Sequence, residues 1–282
     1  MPVVDLGKTE NTTLHIAHFA DGCGWRTVIN LINPSDVPIS GTVSFVGYAA
    51  PIAYAIAARS SVQLVSDRSG SADIQTGSIR IIPTAGHIAP ASNAVFSFQR
   101  NGITVALSSV AAQPAASGVR IYVEGVGAKN GIGSIQTGIA ITNPSSETLT
   151  FNLQLSTDAG IRNGTIELAA NGHAAFFLKE VPAFADLPDS FRGVLRISAA
   201  TSGSFVAVAL RGRYNERSDF LISATPPAAA SSIAGEWIFP HFGDGGSYSM
   251  QFVLFETSGI SAETGTMQFY SQTGEALPLR IF

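Results

Sequence analysis

The chain is 282 residues long, 45% hydrophobic and only 13% charged, with a net charge of −4 and a single cysteine. This composition excludes a disordered chain, and the lack of a basic run excludes the electrostatic footprint of nucleic-acid binding or of attachment to acidic lipid. Cys23 has no partner for an intrachain disulfide, and no apolar run approaches the roughly 18 residues that cross a bilayer, so membrane insertion is not expected.

A chain of this length outgrows a single core, and two or more domains of roughly 100 residues are predicted. Residues 1–13 read as a polar N-terminal lead-in. Met1-Pro2-Val3-Val4-Asp5 has neither the charged region nor the apolar core of a signal peptide, which reads as a mature or excerpted chain. The first module is predicted over 14–117. A short strand over 14–19 runs into Asp21-Gly22-Cys23-Gly24, where Asp can cap its own backbone and Gly accepts positive φ. Cys23 is read as a small turn residue, since no basic neighbour in the sequence is placed to lower its pKa. From Trp25 apolar and polar residues alternate until Asn33-Pro34-Ser35, where proline, having no ladder donor, ends the strand. Strands follow over 42–47, 52–57 and 61–66. Gly77-Ser78-Ile79-Arg80-Ile81 then opens the second half, and Asn101-Gly102 joins strands 94–100 and 103–110 as a hairpin. Many short strands without a helical period predict a β-sandwich.

The second module, 118–230, repeats this plan with strands over 119–124, 134–142, 148–155 and 165–169. Asn143-Pro144-Ser145 repeats the Asn-Pro turn, and Gly193-Val194-Leu195-Arg196-Ile197 repeats the Gly77 block. Residues 205–211 are matched to 94–100. The stretch 181–190, bracketed by Pro182 and Pro188, is read as a loop insertion with one helical turn, and 225–232 as an exposed linker of small residues and prolines. The third module, 231–282, brings back His241-Phe242-Gly243-Asp244-Gly245 and Gly265-Thr266-Met267-Gln268-Phe269, the counterparts of His18-Phe19-Ala20-Asp21-Gly22 and Gly41-Thr42-Val43-Ser44-Phe45. It corresponds to the first half of the repeat, with strands expected near 237–242, 248–256, 266–270 and 277–282. The predicted fold class is therefore all-β: tandem immunoglobulin-like β-sandwich modules, two complete and one partial.

Taken together, His18-Phe19-Ala20-Asp21-Gly22 with Trp25, Asn33-Pro34 and Gly41, followed by Gln75-Thr76-Gly77 and by the run from Gln136-Thr137-Gly138 to Asn143-Pro144, resembles the tandem β-sandwich repeats of large, mostly uncharacterised secreted bacterial proteins. The resemblance covers nearly all of 14–282. It implies an extracellular or cell-surface setting and carries no catalytic residue. The second copy departs from it, with Glu124-Gly125-Val126-Gly127 where the others open His-Phe-x-Asp-Gly.

Two sets of residues are singled out. Half a sandwich leaves a sheet face and its edges in water, a liability for pairing with another chain. Trp237, Phe239, Phe242, Tyr248, Phe252, Phe255, Phe269, Tyr270 and Phe282 are accordingly expected to form an assembly segment. A weaker expectation is a binding surface at one end of the sandwiches from His18, Asp21, Trp25, His241, Asp244 and Tyr248, with the aromatic residues able to stack on a glycan. No catalytic, cofactor or metal site is predicted. The recurring His and Asp pairs offer too few ligands, His15, His87 and His173 stand isolated, Asp186 and Asp189 read as solvated, and no nucleophile or phosphate motif appears. Arg80, Arg100, Arg196, Arg211 and Arg213 are read as solvent-facing, in cross-strand pairs with Glu or Asp. The expected function is a non-enzymatic structural protein whose partner is itself, assembling through sheet edges or strand exchange into a fibre or surface layer. A ligand-binding or adhesin module that recognises glycan is the alternative.

Overall fold

The computed structural model describes residues 10–48, 50–66, 71–230, 236–254 and 264–278. The described residues are all-β apart from two single turns of 3₁₀ helix, and the chain divides into two compact units, Met1–Ala230 and Ser231–Phe282.

The first unit contains two sandwiches of matching plan. In the first, β1 (Leu14–Asp21), β6 (Gln75–Pro83), β3 (Ile39–Phe45) and β4 (Ile52–Ile56) form one antiparallel sheet in that order. Its partner sheet is ordered β5 (Ser61–Val65), β2 (Trp25–Ile32), β7 (Ala91–Arg100) and β8 (Ile103–Ala111). In the second sandwich, β9 (Gly118–Gly125), β14 (Phe191–Ala199), β11 (Leu149–Thr157) and β12 (Gly160–Leu168) take the places of β1, β6, β3 and β4. Likewise β13 (His173–Phe177), β10 (Ile135–Thr142), β15 (Val206–Tyr214) and β16 (Phe220–Thr225) take those of β5, β2, β7 and β8. A two-residue strand, β17 (Ala228–Ala229), adds to the free side of β9.

Alternation decides which face is inside. Ile29 and Leu31 on β2, Val43 and Phe45 on β3, and Ile79 and Ile81 on β6 meet between the first pair of sheets. Ile139 and Ile141, Phe151 and Leu153, and Leu195 and Ile197 do the same in the second. Each Asn-Pro turn is pinned by a buried asparagine. Asn33 Nδ2 reaches the carbonyls of Val37, Ile56 and Ala57 at 2.8, 3.2 and 2.9 Å, while its Oδ1 accepts from the Ser35 N–H and hydroxyl. Asn143 repeats the set with Glu147, Leu168, Ala169 and Ser145.

Three sequence expectations are corrected. Strand β15 is equivalent to β7 in a different register from the one proposed: Ile32 faces Ala91 and Thr142 faces Val206, so residue 94 corresponds to 209 and not to 205. A slip of four residues keeps the inward and outward alternation intact, so the hydrophobic pattern alone does not detect it. The 181–190 stretch is also more than a surface insertion. The expected helical turn is there, as 3₁₀ helix over Pro182–Phe184, but a second 3₁₀ turn at Leu178–Glu180 precedes it, and Leu178, Val181, Phe184 and Leu187 are buried in the second core. Finally, β16 was not anticipated in the sequence.

In the second unit, Gly245 and Tyr248 pair across a turn as Gly22 and Trp25 do. The backbone is the same at both places: φ is 100°, 51° and 84° at Gly22, Cys23 and Gly24, and 96°, 58° and 72° at Gly245, Gly246 and Ser247. The repeat's opening turn is thus formed, but its flanking strands are not. Beyond that bridge, among the described residues of this unit only β18 (Phe269–Tyr270) and β19 (Ala276–Leu277) pair, and 237–242 and 248–254 carry no ladder. Two strands this short satisfy almost none of the segment's backbone groups.

Candidate functional site

The two sandwiches of the first unit share a joint, built by residues that in isolation look like ordinary outward-facing strand positions. Ala140 on β10 and Val206 and Val208 on β15 point away from the second core and join the apolar cluster of the first sandwich, which includes Ala17 on β1. Their counterparts in the first sandwich show why this is directional. Asn30 stands where the second sandwich has Ala140, and Asn93 where it has Val208. Asn30 and Asn93 hydrogen-bond to each other at 2.8 Å, and Gln63 and Ser109 extend the ladder on either side. One face is therefore an amide-bearing surface suited to water, and the equivalent face of the next sandwich is an apolar surface that is covered.

Polar groups close the joint. Thr142 Oγ1 donates to the Ala17 carbonyl at 3.1 Å, and Gln113 Nε2 donates to the Ala207 carbonyl at 3.0 Å. Gln113 also exchanges two main-chain hydrogen bonds with His15, and Ala116 two with Phe205, so the connecting segment is stitched to both sandwiches. Arg80 Nη2 donates to the Pro144 carbonyl and to Asn171 Oδ1 at 2.8 and 2.9 Å. Arg100 forms an ion pair with Asp219.

Histidine lies inside this joint. His18 Nδ1 and His173 Nε2 stand 3.2 Å apart with their rings stacked at 5.3 Å, and His18 also packs against Phe96. Such a contact needs one nitrogen to donate and the other to accept, so at least one ring is neutral. Burial pushes His18 down to about 3, with the facing His173 adding to the effect, and burial alone pushes His173 down to about 4. Burial and the Arg80 charge bring His15 down to about 4. These imidazoles are neutral packing groups near neutral pH. They couple the joint to acid.

The predicted loop-end set is divided between the two units. His18 and Asp21 are buried, and Tyr48 Oη donates to Asp21 Oδ2 at 3.5 Å. Trp25 is half-buried and packs on Phe98 at 4.9 Å. His241, Asp244 and Tyr248 are exposed in the second unit, so the recurring His and Asp pair meets different surroundings in the two copies. The isolated histidines also find places: His15 and His173 in the joint, and His87 with Nδ1 accepting from the Ser40 N–H at 2.8 Å. The arginine reading is corrected as well. Arg80 and Arg100 cross to the second sandwich, Arg211 pairs with Glu124 on the opposing sheet, and Arg213 pairs locally with Glu216. Asp186 and Asp189 are held by Arg162 and Lys179.

The predicted assembly segment stands partly in contact with itself. Phe239 meets Phe252 edge-on at 5.0 Å, and Phe269 meets Phe242 at 5.2 Å and Phe252 at 5.7 Å. Trp237, Tyr248 and Tyr270 remain exposed, Trp237 and Tyr248 by 75% and 78%. Phe255 and Phe282 lie outside the described residues. Comparison with protein-family models, with curated proteins and with solved structures found no match.

Proposed function

We propose that this chain is a non-enzymatic, extracellular structural repeat protein that assembles with itself, in the manner of the secreted tandem sandwiches it resembles. The observation that carries the reading is in the second unit. The repeat's opening turn is formed there with the backbone of the first copy, yet among the described residues the segments beside it have no ladder, and Trp237, Phe239 and Tyr248 face water. Such a segment is a template for strand addition: aligned backbone groups supply affinity, and alternate side chains supply register. An immunoglobulin-like assignment of the sandwiches is supported by their central pairs. Of these, β3 with β6 matches C with F of that fold, and the edge strand β5 beside β2 matches E beside B, although β1, β4 and β7 join different neighbours. The alternative, glycan binding at a loop end, would rest on Trp25 and Tyr248, since His18 and Asp21 are buried.

Sedimentation velocity over a wide concentration range, with strand content followed by circular dichroism, tests the proposal. The full chain is expected to grow in mass and gain strand signal, and Phe252→Lys to suppress both. A chain that stayed monomeric at high concentration, with amides of 237–254 protected from hydrogen exchange, would overturn it.

A further inference from the structure

Arg80 and Arg196 occupy one position of the repeat. Arg80 on β6 lies between Ser44 on β3 and His15 on β1, and Arg196 on β14 lies between Gln154 on β11 and Arg120 on β9. Arg80 is used, since it holds the Asn-Pro turn of the neighbouring sandwich through the Pro144 carbonyl and Asn171. Arg196 is exposed and takes no hydrogen bond or ion pair among the described residues. It lies in a shallow depression on the outer face of its sheet with Asn152, Gln154, Asn163, Thr165 and Ser198.

What Arg80 receives also exists twice. The turn at Asn33-Pro34-Ser35 has the hydrogen bonds of Asn143-Pro144-Ser145 at distances equal within 0.1 Å. Arg59 stands where the second turn has Asn171: each donates its N–H to the serine carbonyl, and each has positive φ, 54° and 55°. This first turn carries Asp36, whose side chain is 82% exposed and whose ion-pair partner, Arg59, is also exposed, by 63%. The surfaces around the two unused halves also match in kind. The donor side, around Arg196, presents Asn152, Gln154 and Asn163, and the acceptor side, on the sheet of the Asn33 turn, presents Asn30, Gln63 and Asn93.

We propose that the Arg196 depression docks the Asn33–Asp36 turn of a second copy of this chain, repeating between molecules the joint that Arg80 makes within one. Arg196 takes the Pro34 carbonyl and the Asp36 carboxylate, and amide side chains face amide side chains around them. The contact joins unlike patches, so it propagates head to tail instead of closing as a symmetric dimer. Because its faces are polar where the internal joint is apolar, it forms and dissolves reversibly, with an ionic-strength dependence set by the exposed charges. It involves no residue of the second unit, and so stands or falls separately from strand addition there.

The test uses the full chain in the Phe252→Lys background, which removes the strand-addition route. Sedimentation equilibrium is run on this parent, on Arg196→Glu, on Asp36→Arg and on the variant carrying both exchanges, with unchanged thermal melts showing that all fold. Each single reversal sets like charges against each other and is expected to weaken association about tenfold, while the double exchange restores it. Equal association in all four proteins, or none in the parent, would overturn the proposal. Binding of a glycan array by the parent that Arg196→Glu alone abolishes, with association unmoved, would make the depression a sugar subsite and overturn it equally.

Discussion

A single buried amide shows how the repeat holds its shape. Asn33 offers two hydrogens to three carbonyls and one oxygen to two donors, so a turn that proline has barred from any ladder is tied to the adjoining strand end. Removing it strands acceptors where water enters poorly, at a cost of about 1–3 kcal/mol for each group left unpaired. Asn33→Ala is therefore expected to lower the melting temperature by roughly 5–10 °C, measured by calorimetry. Asn33→Asp should fare little better, because a carboxylate offers no hydrogens to those carbonyls. The Asn-Pro-Ser spacing made this turn legible in the sequence, but the role of Asn was not, since nothing in the spacing says that its side chain turns inward.

Elements meet at the joint, and there the histidines make a pH dependence. His15, His18 and His173 have folded pKa values of about 4, 3 and 4 against an unfolded value of 6.5. A depressed histidine binds more protons unfolded than folded between those limits, so stability increases with pH across that window. The contribution is complete above about pH 7, falls as pH drops below about 6.5, and is gone near pH 3. Each unit of depression corresponds to about 1.4 kcal/mol, so denaturant melts between pH 7 and 5 should already show a clear loss. Acidic groups contribute little to a change confined to that range. His173→Phe, which keeps a ring against His18, is expected to flatten the slope, and an unchanged slope would show that the coupling lies elsewhere. In the sequence His18 pairs with Asp21 while His15 and His173 stand isolated, because His18 and His173 are 155 residues apart on strands of different sandwiches. Only the packing of β1 against β10 and β15 brings them together. The strands themselves were legible from alternation, whereas β15's register was not, since a four-residue slip leaves that alternation unchanged.

At the scale of the first unit, two cores behave as one body because the first sandwich covers an apolar outer face on the second. A single cooperative melting transition is expected for both. Ala140→Asn with Val208→Asn installs on the second sandwich the residues that the first carries at the same repeat positions, leaving both interiors untouched. The expected outcome is two resolved calorimetric transitions; one transition at an unchanged temperature would show that the covered face contributes little coupling. The tandem plan was visible in the sequence through its Asn-Pro turns and its Gly-x-x-Arg-Ile blocks. The joint was not, because Arg80 and Arg196 read identically and differ only in what lies above them.

The amide ladder of Asn30, Asn93, Gln63 and Ser109 has a consequence for biosynthesis. The sandwich that leaves the ribosome earlier carries a hydrated outer sheet and can wait in solution as a finished piece. The one that follows, with Ala140 and Val208 on its outside, emerges to find its seat already built. Reversing their order in a permuted gene would expose the greasy sheet first, and the nascent chain would aggregate before its cover had been translated.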